Sequence, residues 1–171
     1  MKELRFHYGQ EMPRPTLTLP SSAAIICIGT DRSTGDSLGP LAGTMLRRRG
    51  ITGVYGTLRD PVDATNLPGV LEEIGAGRFI LAIDAMLGSS TEIGEIALRP
   101  GPVHPGRSLK KELPPTGDVH IVGHVNVGGF MDFFVLQDTR LSLVVDMAAR
   151  IADLVCAMGA EGWSDGDTRG T

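Results

Sequence analysis

Short, continuously apolar runs constrain the fold of this chain more than any other feature of its sequence. Three of them stand out, AAIICIG at 23–29, RFILAID at 78–84 and VHIVG at 119–123. Runs of this length that do not alternate with polar residues are typical of strands buried on both faces of a sheet. We therefore expect the three runs to be central strands that are covered on both sides.

Helical patterns separate these runs. PLAGTMLRRR at 40–49 has apolar side chains at helical spacing with Gly50 as a stop, and LPGVLEEIGAG at 67–77 predicts a short helix. A long amphipathic helix is predicted from Leu141 to Met158. Because strands that alternate with helices form mostly parallel sheets, the pattern predicts an α/β fold in three layers.

Two further segments differ from this pattern. EIGEIALR at 92–99 alternates between polar and apolar residues, which predicts a strand with one solvated face, suited to an edge of the sheet. The stretch at 99–118 is rich in proline and glycine and predicts a long irregular excursion.

The length of the chain sets the expected domain organisation. With 171 residues, 42% of them apolar, the chain can bury a core of its own as one domain. Residues 23–158 hold the main predicted core elements, so we expect a single α/β domain there. Residues 1–22, interrupted by prolines, are expected to lie over the domain surface, and the polar, glycine-rich tail at 159–171 is expected to be flexible.

Charge and cysteine content narrow the expected partners and compartment. The chain has 16 basic and 20 acidic residues, a formal net charge of -4, and no basic run beyond 47–49, which argues against binding to nucleic acid or an anionic membrane. Cys27 and Cys156 are far apart and fit a reducing compartment. Since the sequence shows neither a signal-peptide pattern nor an apolar run of about 20 residues, we expect a soluble protein of the cytoplasm.

Ionisable residues follow the apolar runs, and the carboxyl ends of parallel strands meet at one edge of a sheet. Asp31 and Asp36 follow the first run, Asp84 ends the second and His124 follows the third. Two aspartates at one edge can divide the work of hydrolysis, because one carboxylate activates water while the other, protonated, donates to the scissile group. We therefore expect Asp36 and Asp84 to be catalytic, although a helix cap would also account for Asp36.

Three further residues are candidates for accessory or substrate-binding roles. Asp31 can orient Asp36 or make a local turn. His124 and Asn126 stand in GHVNVGG, whose glycines would let the backbone approach a substrate closely. The two-aspartate chemistry needs no cofactor. If the site held a metal, Asp36, Asp84 and His124 would be its ligands, with zinc or nickel in an open site.

Two familiar motifs are near matches to the loop GTDRSTGDSLGP at 29–40. A phosphate-binding loop requires lysine where Asp36 stands, so a phosphate would meet repulsion. The letters GDSL at 35–38 also spell the signature of an esterase family, with Ser37 as nucleophile. That chemistry needs a histidine base with an acidic partner, and no DxxH pair follows in this sequence. We therefore expect Ser37 to cap the next helix together with Asp36.

Four segments together resemble a known family. CIGTDRSTGDSLGP, FILAIDA, VHPGRSLKKEL and GHVNVGGFMDFFVLQDTRL are similar to the YyaC-like sporulation proteins over about 23–158. More remotely, GDSLGP, AIDA and HPGRSLKKEL are similar to blocks of the bacterial spore germination protease, an atypical aspartic peptidase that degrades small acid-soluble spore proteins. The same fold family includes the endopeptidases that mature nickel hydrogenases.

The resemblance implies a phosphorylase/hydrolase-like α/β fold with a twisted, mixed sheet between helices. The catalytic aspartates of the germination protease fall on Asp36 and Asp84. The metal-contacting acids of the maturation endopeptidases fall on the same two residues, and His124 most nearly matches their histidine. The implied protein is a hydrolase of the sporulating cell or the spore interior, with a protein or peptide substrate such as small acid-soluble spore proteins.

Three functions stay open at this point. The first is a two-aspartate peptidase that cleaves a spore protein, as in spore germination. The second is a metal-dependent endopeptidase of the maturation type. The third is a catalytically silent module that binds a spore protein in the same crevice. The oligomeric state is open as well, and homo-oligomers fit all three.

Overall fold

The computed structural model describes residues 1–106 and 113–159. In this part of the chain the strands are β1 Leu4–His7, β2 Ala24–Cys27, β3 Val54–Tyr55, β4 Ile80–Gly88, β5 Glu95–Pro100 and β6 Val119–Val127. The helices are α1 Leu38–Arg48, α2 Leu67–Ile74, α3 Asp132–Gln137 and α4 Leu141–Met158, and a 3₁₀ turn at Gly35–Ser37 leads into α1. The strands form one six-stranded sheet in the order β1-β5-β6-β4-β2-β3.

The sheet is mixed and mostly parallel. The neighbours β3, β2, β4 and β6 run parallel, whereas β5 is antiparallel both to β6 and to β1. Helices α1 and α4 pack together on one face, and α2 covers the other. The expected three-layer α/β fold is therefore confirmed.

Strand β2 shows why the apolar runs are continuous. Ile25 and Cys27 face the cluster that includes α1 and α4, while Ala24 and Ile26 face the cluster that includes α2. All four side chains are fully buried. A strand with core on both faces has no position for a polar residue, so its sequence cannot alternate.

The edge strand of the sheet is not the strand that the sequence predicted. Strand β5 lies inside the sheet, because β1 pairs with it antiparallel and takes the edge position. The segment 1–22, expected to lie over the surface, therefore supplies a strand, and its Phe6 and Leu19 are buried. Of the tail at 159–171, residues 160–171 lie outside the described part of the chain.

Strands β4 and β6 extend beyond their apolar runs. Asp84 was expected to end a strand, but β4 continues for four residues after it, because 85–88 go on pairing with β6. His124 likewise lies within β6 rather than after it. In α4, the predicted apolar stripe is buried except at its start, where Leu141 is exposed and Val145 is only half-buried.

No helix within residues 1–106 and 113–159 is long and apolar enough to cross a bilayer.

Candidate active site

The register of the sheet determines where the candidate residues meet. Cys27, the last residue of β2, pairs with Ile83, so Asp84 is the first residue of β4 beyond the end of β2. From β2 the chain crosses through α1 to β3 on one side, whereas β4 lies on the other side of β2. The strand order therefore reverses between β2 and β4. Ligands of open α/β sheets bind at such a switch point.

Asp36 lies at this switch point because its backbone packs closely against Gly29, just after the end of β2. It stands in the 3₁₀ turn before α1, and its carbonyl oxygen accepts the N–H of Thr30 at 3.1 Å. A Cβ at Gly29 would lie 1.9 Å from that same carbonyl oxygen, and Gly29 has a φ of 144°. Only glycine satisfies both the contact and the backbone angle, so Gly29 fixes the position of Asp36 against the end of β2.

Both aspartates line one cavity of about 160 Å³. Its walls come from the loops after β2 and β3, from β4 and from the proline-rich segment: Ile28, Gly29, Thr30, Asp36, Asp63, Ala64, Thr65, Asp84, Ala85, Pro105, Gly106 and Leu113. The N–H of Ala85 donates to Oδ1 of Asp84 at 2.9 Å and orients that carboxyl group. The predicted convergence of Asp36 and Asp84 in one crevice is thus the arrangement that the structure has.

Burial perturbs the two carboxyl groups to different extents. Asp84 keeps some accessible surface, yet protein atoms surround its carboxyl group, and this desolvation raises its pKa to about 8. The N–H of Ala85 partly offsets the rise, and the charge of Asp36 adds to it. Desolvation also raises the pKa of Asp36, and the nearby Ser33 hydroxyl works against that rise, although it makes no hydrogen bond of regular geometry. At neutral pH Asp84 therefore holds a proton, and desolvation makes the carboxyl group of Asp36 harder to ionise than that of an exposed aspartate.

His124 does not border this cavity. In β6 it pairs with Met86, two residues beyond Asp84. Its ring lies instead beside the turn between β4 and β5, where a Cβ at Gly88 would be 2.8 Å from its Cδ2, and Glu92 is among its charged neighbours. The ring is buried, with Nδ1 lacking a hydrogen-bond partner. The expectation that His124 would stand with the two aspartates is not met.

The other two accessory candidates also lie outside the cavity. Asp31 is exposed and is not among the lining residues. Asn126 uses its side-chain amide to donate to the carbonyl of Val135 and to the hydroxyl of Thr139, both at 3.2 Å. Asn126 therefore links the end of β6 to α3 through hydrogen bonds, and it is not among the residues that line the cavity of the aspartates.

Ser37 has a structural role that excludes the esterase interpretation. Its hydroxyl is buried, donates to the carbonyl of Thr34 at 2.6 Å and does not line the cavity. The predicted helix cap is wrong as well, because no side-chain hydrogen bond caps α1. Asp36 is thereby left without the capping role that would have explained it structurally.

Sequence reasoning missed the polar cavity residues of the loop after β3, Asp63 and Thr65. Oδ1 of Asp63 accepts the N–H of Thr65 at 2.8 Å and its hydroxyl at 2.6 Å. Both belong to the loop after β3, which reaches the same edge of the sheet as the other strand ends. The short β3 run with a polar loop behind it was the signal that could have identified them.

A second cavity of about 290 Å³ adjoins the first, since Asp84, Ala85 and Gly106 line both. Its other walls include His104, Gly128 and Asp132. His104 stands in the proline-rich segment at 99–118. The two cavities together make a groove that passes over Asp84.

The chain matches one family model and one curated protein in sequence. A family model described as "Protein of unknown function (DUF1256)" matches residues 5–154. The "Uncharacterized protein YyaC" of Bacillus subtilis (strain 168) is 49% identical over 134 residues, which are 75% of this chain but only 65% of that protein. The resemblance to YyaC-like proteins is therefore confirmed.

A solved structure has a similar fold. The crystal structure of a [NiFe] hydrogenase maturation protease, HycI from Thermococcus kodakarensis KOD1, superposes with a TM-score of 0.53 and 18% identity. The match covers 80% of this chain and 92% of that protein. At this identity the likeness shows a protease-like fold.

Proposed function

Because this chain belongs to the DUF1256 family and has a protease-like fold, we propose that it is a sporulation-associated peptidase that cleaves a spore protein with Asp36 and Asp84. The observation that carries the proposal is the meeting of two carboxyl groups in one cavity, with the pKa of Asp84 raised to about 8. Carboxyl groups whose environments separate their pKa values are the usual acid and base of a hydrolase. The sporulation setting rests on the likeness to YyaC.

The two aspartates can carry the whole reaction in two proton-balanced steps. Ionised Asp36 takes a proton from water as the water oxygen bonds to the peptide carbonyl carbon, and protonated Asp84 gives its proton to the carbonyl oxygen. When the tetrahedral intermediate collapses, the C–N bond breaks and the leaving nitrogen receives the proton from Asp36. A hydroxyl of the intermediate returns its proton to Asp84, so both groups regain their starting states.

The described residues do not fit the metal-dependent alternative. His124 is not among the residues that line the cavity of the aspartates, and within residues 1–106 and 113–159 no group of three His, Cys, Asp or Glu side chains is arranged to hold a metal ion. We therefore derive no step through zinc or nickel.

The proposal is tested with purified small acid-soluble spore proteins as substrate and intact-mass spectrometry as readout. The wild-type chain should produce fragments, while Asp36→Asn and Asp84→Asn should produce none. Asp31→Asn is the matched control, because it removes a carboxylate of the same loop outside the cavity and should keep full cleavage. Cleavage should also survive exhaustive chelation.

Two results would contradict the proposal. Cleavage at the wild-type rate by Asp84→Asn would end the two-aspartate mechanism. Absence of turnover by the wild-type chain, with substrate binding retained when both aspartates are asparagine, would identify a silent binding module instead.

A further inference from the structure

Large apolar side chains are exposed in one short segment beside the two cavities. Among the described residues, five of the seven exposed large apolar side chains stand in this segment, Val127, Phe130, Met131, Phe133 and Phe134. Phe130 is 94% exposed. Single apolar side chains on a surface are ordinary, but a contiguous group beside a cavity marks a binding surface. We call these five residues the aromatic patch.

The aromatic patch is continuous with the groove that carries the aspartates. Gly128 and Asp132, from the same segment, line the second cavity together with Asp84. On its buried side α3 packs against the 3₁₀ turn that holds Asp36, where a Cβ at Gly35 would lie 2.8 Å from the side chain of Leu136. Helix α3 therefore contacts the 3₁₀ turn that holds Asp36 and also carries exposed aromatic side chains.

Local hydrogen bonds fix the shape of the patch. Oδ1 of Asp132 accepts the N–H of Gly129 at 2.7 Å, and the carbonyl of Met131 accepts the N–H of Phe134 at 2.9 Å. The rings of Phe133 and Phe134 meet edge to face with centroids 5.6 Å apart. A surface that is ordered before binding loses less entropy when a ligand arrives.

We propose that the aromatic patch docks a large apolar side chain of an extended polypeptide whose scissile bond lies over Asp36 and Asp84. The inference rests on the proposed function and names its substrate class, a flexible protein segment with Leu, Phe or Met near the cleavage point. The groove favours this occupant over a second copy of the chain. Gly128 and Asp132 join the patch to the cavity that Asp84 lines, so a polypeptide bound over the aspartates also lies beside the exposed rings.

The test measures binding without turnover. The full chain with Asp84→Asn is titrated into fluorescein-labelled glycine-serine peptides that carry either Leu-Phe-Leu or Ser-Ser-Ser at the centre, and fluorescence anisotropy reports binding. The apolar peptide should bind at least about tenfold more tightly than the serine peptide. Adding Phe130→Ser and Phe134→Ser should remove that preference, whereas Leu141→Ser, which truncates an exposed apolar residue at the start of α4, should keep it.

Two controls keep the outcomes distinct. Circular dichroism verifies that each variant is folded, and Phe130→Ser alone serves if the double variant is not, because that side chain contacts mostly solvent. Equal binding of the two peptides, or a preference that survives loss of both rings, would overturn the inference. A wild-type dimer that becomes monomeric with Phe130→Ser, without peptide binding, would show that the patch joins two copies. Since no arm requires cleavage, failure of the peptidase proposal is detected separately.

Discussion

Asp84 is the residue whose environment departs furthest from that of an ordinary surface aspartate. Burial is the largest cause of its raised pKa, and the charge of Asp36 is a smaller one. We expect the Asp84 carboxyl carbon to titrate near pH 8 in a ¹³C NMR experiment. Asp36→Asn should lower that midpoint only slightly, because desolvation remains. A return to the ordinary aspartate range in Asp36→Asn would show that charge, and not burial, perturbs Asp84.

The same group makes stability depend on pH in a defined direction. The pKa of Asp84 in the folded state, about 8, exceeds the value of about 3.9 expected for an unfolded chain. Between these values the folded state retains a proton that the unfolded state has lost, so this group lowers stability as pH rises through the window. Asp84→Asn has no carboxyl group at this position, so its stability does not fall with pH in this way. The Tm of the variant minus that of wild type should therefore increase from pH 5 to pH 8. A Tm difference that is constant across this range would contradict the assignment.

At the scale of elements, α1 lies against the sheet through glycines. A Cβ at Gly43 would be 1.9 Å from the carbonyl oxygen of Gly56, whereas a Cβ at Gly69 in α2 would meet nothing within 4 Å. Gly43→Ala should therefore destabilise the protein by about 1–3 kcal/mol despite alanine's better helix propensity. Gly69→Ala, its matched control, should stabilise by up to about 1 kcal/mol. Urea unfolding measures both, and equal effects would contradict the close packing of α1.

The elements that the sequence predicted are those whose burial is visible locally. Strand β2 reads as an unbroken apolar run because both of its faces meet the core. Helix α3 was missed because Phe133 and Phe134 are exposed and leave no amphipathic stripe. Asp84 interrupts an apolar run inside a strand, so the end of β4 was placed too early.

The sequence predicted only part of the candidate site, because a local pattern shows burial but not long-range contacts. Asp36 and Asp84 each follow an apolar run, and parallel topology brings such positions to one edge. His124 shares the sheet face of Asp84, but it pairs with Met86, so it lies one strand over and two residues further along the sheet, and the sequence does not indicate how far along β6 it stands. Asp63 lines the same cavity as Asp36 and Asp84 because the loop after β3 reaches it. This contact joins residues that are distant in the sequence, so no local sequence pattern predicts it.

At the scale of the whole molecule, the N-terminal segment is built into the fold. Strand β1 forms the edge of the sheet, with Arg5 of β1 paired to Glu95 of β5 at 3.0 Å. Further along, the N–H of Leu19 donates to the carbonyl of Met158 at 2.7 Å, which joins the segment to the end of α4. The chain before residue 23 thus closes over the same core as the rest of the domain.

Leu19 offers a direct test of that closure. Its side chain is fully buried in the cluster that includes α1 and α4, whereas Leu17, two residues earlier, is only partly buried against it. Leu19→Ala should lower the free energy of unfolding by about 2–5 kcal/mol, as expected for a cavity in a packed core, and Leu17→Ala should lower it clearly less. Urea denaturation followed by circular dichroism measures both changes, and the slope with urea should stay that of wild type if one cooperative unit unfolds. If Leu19→Ala left the global transition unchanged, the N-terminal segment would detach without unfolding the core, and it would have to be regarded as a separate unit laid over the domain.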